Sequence, residues 1–540
     1  MRPSSGEAWP VAALGVATLL IVSPIWLTQA PAMPDYPAHL ASFHLIGGLA
    51  NDPVIAKFWR IEWAPIPNLA SEFSVPLLAK LCGYRFATKL FLTLATLMWA
   101  IGPALVQRAL YRRLYPTALA GALFAYSANF MWGFFNYIFA SGLAILLFAG
   151  WIASTGWPSW RRALVFALAL LPVYFSHVFA AALLLLMIGG YEAQAWFETR
   201  PLSFKSAAIR IWPILVAALP VAILFLFFKP AGADGHIAFN ILTSWQDRIE
   251  AMLDLYFDQT HYVVLAALLV AVVAGLWTGR LALDRRMWLV LAVLLFLTAF
   301  APEEAMGGWG VDLRIPPMFC ALLFAASELR LERRWQMATA AVLLVVTAFD
   351  AAALAGNWRY YDRRYDEFRA ADAVIPEGAK IVTVLDGDAI GWASDQPYWH
   401  MAEFAIIDRK AFTPLLFATK GQHVVRLLPS VANIAAQSAR QGSPPDISEL
   451  EDLSNGLIDG DTDIAFVFPY LMRFQCHYDY AVVVHLNGHR SPVPSMLHSV
   501  HEGSFFAIYA IDHHTCPRNS GTAYQFPQFG FHGRTGKLGN

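Results

Sequence analysis

A succession of long apolar runs separated by short charged loops constrains this chain more than any other feature. The runs lie at 9–30, 86–107, 117–130, 136–154, 162–176, 178–197, 211–228, 261–279, 287–301, 316–330 and 335–354. A helix needs about 20 apolar residues to cross the hydrocarbon core of a bilayer. In lipid the backbone must satisfy its own hydrogen bonds, so each run is expected to be helical. Composition agrees. Hydrophobic residues make up 57% of the chain and charged residues 14%, against roughly a quarter charged in soluble domains. The first run, Trp9 to Ala30, could be a signal peptide, because Ala30-Pro31-Ala32 loosely resembles a cleavage site. It is long for such a segment and only Arg2 precedes it, so it reads as an uncleaved anchor.

Several runs are short for a full crossing, and 117–154 and 162–197 could each be one bent span. Basic residues separate the two readings. Arg108, Arg112 and Arg113 follow the second run, Arg161 and Arg162 the fourth, and Arg200, Lys205 and Arg210 the sixth. Arg280, Arg285 and Arg286 follow the eighth, and Arg330, Arg333 and Arg334 the tenth. With about eleven spans every cluster falls in an alternate loop, as the excess of Lys and Arg in cytoplasmic loops requires. The expectation is a polytopic α-helical membrane protein, about 11 transmembrane helices, N-terminus in and C-terminus out. The outer face then collects 31–85, the turns near 129–136 and 176–177, the loops 229–260 and 302–315, and everything after about 356.

From Asn357 polar residues return. "RYDEFRAADAVIP" reads as a helix ended by Pro376 and Gly378. "KIVTVLD", "DIAFVFPYL", "YAVVVHLN" and "FFAIYAID" read as strands. This is an expected extracytoplasmic α/β domain, 357–517, followed by a loose Gly-rich tail, 518–540. The membrane domain is then 1–356. The DGD tripeptides at 386–388 and 459–461 read as turns. Cys82 and Cys320 lie in apolar context and read as inert core thiols. Cys476 and Cys516 fall in the polar part, where an oxidising compartment would permit a disulfide. A net charge of −1 offers no field for nucleic acid.

The stretch "QAPAMPDYPAHLASFHL" just past the first span carries Asp35, His39 and His44, with Pro34 and Pro37 restricting the backbone. An Asp there is also a common helix N-cap. "PAHLASFHLIGGLAN" reads as a short amphipathic helix and "SEFSVPLLAKLCGY" as a second interfacial one. The span pattern, the long first outer loop and "MPDYPAHLA" together resemble the GT-C superfamily, integral-membrane glycosyltransferases that use polyprenyl-phosphate-linked sugars. In that family's loop motif an Asp, often Asp-Glu, is followed by His or Tyr. Asp35 and His39 match it, while Tyr36 stands where the second acid usually does.

The resemblance implies an enzyme of a bacterial inner membrane with its C-terminal domain periplasmic. Its partners would be a polyprenyl-phosphate-linked sugar donor, membrane lipids, and a glycan, lipid or protein acceptor. Asp35 would be the base that takes a proton from an acceptor hydroxyl, with His39 beside it. The departing phosphate needs cationic or donor groups. The candidates are His39, His44, Lys57, Arg60, His177, Lys229 and Arg314. Asn68 and Glu72 are weaker candidates for hydroxyl recognition. In "APEEAMGGWGVDLRIPP" Glu303, Glu304, Asp312 and Arg314 are framed by Gly307, Gly308 and Gly310, which suits a mobile loop with an Arg facing phosphate. Glu303 or Glu304 is a candidate to assist Asp35 or to hold a divalent metal, magnesium or manganese. The aromatics of "NFMWGFFNYIF" suit a membrane interface, a prenyl chain or a sugar ring. Three other readings stay open: a transporter or flippase of a lipid-linked saccharide, a non-catalytic assembly protein of envelope polysaccharide synthesis, and an acyltransferase using a membrane histidine. A required carboxylate at Asp35 separates sugar transfer from all three.

Overall fold

The computed structural model describes residues 8–199, 202–228, 237–238, 248–249, 260–305, 308–388, 395–436, 442–456 and 468–516. From the N-terminus, α1 (Ala8–Leu27) leads into a long loop carrying α2 (Tyr36–Ile46), β1 (Trp59–Ile61) and α3 (Ala70–Cys82). Then come α4 (Tyr84–Tyr111), α5 (Thr117–Leu123), α6 (Ala128–Trp132), α7 (Phe135–Ala153), α8 (Ser159–Ser176), α9 (Val178–Glu198) and α10 (Phe204–Phe227). After β2 (Ile237–Ala238) follow α11 (Thr260–Trp277), β3 (Leu281–Leu283), α12 (Trp288–Phe300), β4 (Glu304–Ala305), α13 (Pro316–Ala325), β5 (Ser327–Leu329) and α14 (Arg333–Ala371). The C-terminal part adds β6 (Ile381–Asp386), α15 (Phe404–Arg409), β7 (Val425–Leu427), α16 (Glu449–Asn455), β8 (Tyr480–His485), β9 (Leu497–Glu502) and β10 (Phe506–Ile511).

Among the described residues six helices are long and apolar enough to cross a membrane: α1, α4, α7, α9, α10 and α14. Their outward faces carry exposed Leu19, Leu94, Leu215, Phe227 and Val345. Apolar surface this extensive has no stable place in water. The other expected spans are helical but shorter. The run 117–130 is broken into α5 and α6, because Ser127 takes an extended conformation. Asn129 Nδ2 then donates to Leu313 O at 3.1 Å, turning this segment toward the 308–314 loop. The run 316–330 leaves the helix after Ala325, where β5 pairs antiparallel with β3.

That ladder gathers three Arg-rich loops at one end of the bundle. Tyr111 Oη donates to Ala326 O at 2.7 Å and Arg286 Nη2 to Leu110 O at 2.6 Å. Nearby polar groups on helices are also paired. Glu192 on α9 accepts from Trp151, Arg162 and Arg210, each at 2.9 Å.

The opposite end carries the sheet. Its order is β6-β8-β10-β9, with β6 and β8 parallel and the other pairs antiparallel. Side chains alternate across a strand, and both faces are covered. Ile381, Val482, Val484, Phe506 and Ile508 join the core that continues into the membrane helices. Val382, Val384, Ala481, Val483 and Ala507 join a second core built with Ala38, Ala41, Leu45, Ile55, Phe58 and Trp59 of the first loop. Burial on both faces explains why the runs "IVTVL" and "AVVV" of β6 and β8 do not alternate apolar with charged residues.

Three expectations change here. The break between domains at 356/357 falls inside α14, a continuous 39-residue helix. At about 1.5 Å per residue it outruns a bilayer core of about 30 Å and carries its polar half beyond it. The helix expected to be amphipathic, α2, is buried on nine of eleven residues, because Ala38, Ala41 and Leu45 enter one core and Tyr36, Leu40 and Phe43 the other. Cys82 is exposed at the end of the peripheral α3, not a core thiol, whereas Cys320 is buried. Cys476 and Cys516 form a disulfide. The strand expected within "DIAFVFPYL" lies mostly outside the described residues, and its Pro469–Leu471 end is a single 3-10 turn. The second DGD, Gly307 and the tail also lie outside them.

Candidate functional site

The first loop reaches the site through three constraints. Pro34 and Pro37 flank Asp35, the latter in the first turn of α2. The Asp35 N–H donates to Trp132 O at 3.1 Å. Gly133, at φ +90°, lets α6 pass close by; a Cβ there would lie 3.1 Å from Met33 Cβ and 3.2 Å from Asp35 Cβ. Asp35 occupies the N-cap position of α2, yet its side chain makes no capping hydrogen bond. The carboxylate is left for the cavity.

That cavity, about 750 Å³, lies where the membrane helices meet the C-terminal domain. The membrane part contributes Asp35, His39, Asn68, His177, Glu303, Glu304, Asp312 and Arg314 to its lining. The C-terminal domain contributes Trp399, His400, Phe417 and His423. Its size is that of a small-molecule pocket.

Burial raises the Asp35 carboxyl to about 6, against the lowering influence of His400, His423 and Arg314. The group therefore titrates close to neutrality, where a general base works best. His39 is stacked on Phe135, with ring centroids 4.5 Å apart. Burial, with His423 and His400 nearby, drives it down to about 3. It is neutral at pH 7 and cannot be the cation that a phosphate needs. His177 caps α9: its Nδ1 accepts from Phe179 N at 3.2 Å. The ring proton of the neutral imidazole must then sit on Nε2, a donor.

Arg314 is a buried cation in the cavity wall. Its guanidinium lies over Phe134, Tyr137 and Phe179 at 5.0, 5.5 and 5.7 Å. The residue is 8% exposed, and its Nε and Nη1 have no hydrogen-bond partner. Unsatisfied buried donors on a charged group are costly and mark a place for an anion. Asp312 does not supply one, because it faces the buried Arg248 at 3.6 Å. Glu303 accepts from Trp309 Nε1 at 3.0 Å. Trp132 packs edge-on against Trp309 and Trp399, at 5.2 and 5.7 Å, giving the cavity a wall of indoles.

No protein-family model matches the chain, and no curated protein matches it.

The fold thus brings together Asp35, His39, His177, Glu303, Glu304 and Arg314. It leaves out His44, which stacks on Tyr84 at 3.8 Å, and Arg60 of β1, which pairs with Glu62. Lys57 is exposed elsewhere, and Lys229 lies outside the described residues. Glu72 supports the wall from behind, accepting from Val424 N at 3.1 Å and standing 2.7 Å from His423 Nδ1. Among the described residues no group of three or more His, Cys, Asp and Glu side chains is arranged to hold a metal ion. The steps below use the protein's own side chains.

Sequence reasoning missed His400, Glu403 and His423. A signal existed for the first two: "WHMAE" places His400 and Glu403 one helical turn apart, the spacing at which side chains meet. Nothing in "KGQHVV" points from His423 to Asp35, 388 positions away in the chain by their numbers.

Proposed function

We propose that the chain is a membrane glycosyltransferase of the GT-C type, moving a sugar from a polyprenyl-phosphate donor to an acceptor hydroxyl. One observation carries the reading. A half-buried carboxylate free of capping duty, Asp35, and a buried guanidinium with orphan donors, Arg314, share one cavity at the junction of membrane helices and C-terminal domain. Asp35 takes the proton of the acceptor hydroxyl. The acceptor oxygen bonds to the anomeric carbon as the carbon–oxygen bond to phosphate breaks, its electron pair leaving with the phosphate. Arg314 and the Nε2–H of His177 receive that charge where water is scarce. The indole wall of Trp132, Trp309 and Trp399 suits a sugar ring's apolar face.

In this reading the Arg-rich end of the bundle is cytoplasmic, about eleven segments thread the bilayer, and the cavity opens on the periplasmic side of a bacterial inner membrane. The acceptor, whether glycan, lipid or protein, enters from the C-terminal domain. Lipid extracts of cells lacking the protein, rescued with wild type or Asp35→Asn, test it by mass spectrometry. A polyprenyl-phosphate sugar should accumulate in the null and with Asp35→Asn, and not with wild type. An Asp35→Asn protein, expressed at the wild-type level, that clears the same species sinks the reading.

A further inference from the structure

The C-terminal wall of the cavity carries chemistry that the transfer step does not use. His400 is 3% exposed and Glu403 is 1% exposed. His400 Nδ1 stands 3.2 Å from Glu403 Oε1, and Glu403 Oε2 has no hydrogen-bond partner. Burial works against a charged ring, but Glu403 at one nitrogen and Asp35 near the other raise His400 above the ordinary imidazole range, and in the imidazolium both nitrogens are donors. Here that other nitrogen, Nε2, is 4.0 Å from Asp35 Oδ1. Phe417 packs edge-on against the His400 ring at 5.1 Å and against His39 at 5.3 Å, keeping both imidazoles in place. The row Glu403–His400–Asp35 thus joins the C-terminal domain to the first loop.

Partial burial pushes a carboxyl toward its neutral acid, and a neutral acid is no base. We propose that His400, held by Glu403, is the positioning residue that keeps Asp35 in its carboxylate form, making the C-terminal domain part of the transfer centre. The inference rests on Asp35 acting as the base of sugar transfer. One proton leaves the acceptor hydroxyl, rests on Asp35 and departs to cavity water, driven off by the imidazolium beside it. His400 ends the cycle in the state in which it began.

The groups facing this row are defined. Asp35 faces His400, His423 and Arg314, with His39 one turn along its own helix. His400 faces Glu403, Asp35 and His39. Tyr470 stands near Glu403, and Glu72 holds His423. Glu303, Glu304 and Asp312 line the same cavity. His39 is neutral and Asp312 is paired with Arg248, which leaves His400, His423 and Arg314 to set the charge on Asp35.

Infrared spectroscopy of the full-length protein in detergent tests this without substrate. The carboxylic-acid stretch that disappears in Asp35→Asn is titrated from about pH 4 to about pH 9 in wild type, His400→Gln and Glu403→Gln. Its midpoint should rise by about one pH unit or more in His400→Gln, the effect of removing an opposite charge at this range. It should rise by less in Glu403→Gln. An unchanged midpoint in either variant that retains wild-type thermal unfolding overturns the proposal, as does the absence of any titrating band assigned to Asp35. The two readings fail separately. If Asp35→Asn still clears the lipid-linked sugar, the transferase itself is wrong. If Asp35→Asn is inactive and the midpoint does not move, only the role of His400 is wrong.

Discussion

Asp35 and Arg314 make opposite demands on the fold, and both leave measurable traces. Asp35→Asn should slow transfer by about 10²–10⁴-fold, the usual worth of a positioned base, read as the rate at which the accumulated donor is consumed. Its stability effect should have the other sign. The Asp35 carboxyl is raised from an ordinary 3.8 to about 6, so the folded state binds the proton more tightly than the unfolded one. Stability from this group is complete below about pH 4 and is lost as pH rises through about 6. Asp35→Asn should therefore melt higher than wild type at about pH 8, with the gain vanishing near pH 4. A mutant that melts lower at both values contradicts the burial argument. For Arg314, replacement by Gln should weaken binding of a short polyprenyl phosphate by about 10–100-fold in calorimetry, the range of a charge-assisted hydrogen bond. Arg314→Lys should not restore it, because an ammonium lacks the planar fork.

Single elements hold these residues in place, and two of them are testable on their own. At Gly133 the end of α6 and the Asp35 turn pass so closely that an added Cβ would press on Met33 and Asp35. Gly133→Ala meets left-handed backbone and a tight contact together, so it should cost about 1–2 kcal/mol. Transfer should fall further than the unfolded fraction explains, because the methyl group displaces Asp35. Equal losses in stability and transfer would show that Gly133 matters only for folding. The Cys476–Cys516 disulfide ties the start of the β8 region to the chain beyond β10 across a sequence separation of 40. Reducing it should cost about 2–4 kcal/mol, seen as a lower denaturation midpoint of the sheet, with the membrane helices retained in circular dichroism. The strands β6, β8 and β10 were legible in the sequence, because three β-branched runs bounded by turn residues admit little else. β9 was not. Its "LHSVHE" is mostly exposed and polar, and its place comes from pairing with β10 rather than from its own pattern.

On the scale of the whole molecule, the C-terminal domain and the first loop are one packing unit. β1 pairs antiparallel with β7, Trp59 opposite Leu427 and Ile61 opposite Val425. Trp59 is 1% exposed, stacked on Phe412 at 5.3 Å. Residues 357–517 expressed alone should therefore lack a core face and show no cooperative unfolding transition. A soluble, sharply melting fragment would contradict the shared core. Trp59→Ala in the full chain should cost about 3–5 kcal/mol and separate the sheet from the cavity, measured as faster proteolysis after Ala371.

The sequence by itself determined that this is a helical membrane protein with a polar C-terminal part carrying strands, because apolar length and period-two patterning are local properties. It also picked out Asp35 and Arg314, since an ionisable residue beside an apolar run is conspicuous wherever it falls. The tertiary structure alone decided what those residues face. It split the run 117–130 and drew α2 into two cores. It set aside His44 and Arg60, and it carried His400, Glu403 and His423 across hundreds of positions to Asp35. The physical reason is that burial and charge pairing act through space. A carboxylate's neighbours, and with them its protonation, are set by which surfaces the packing of the whole chain brings together.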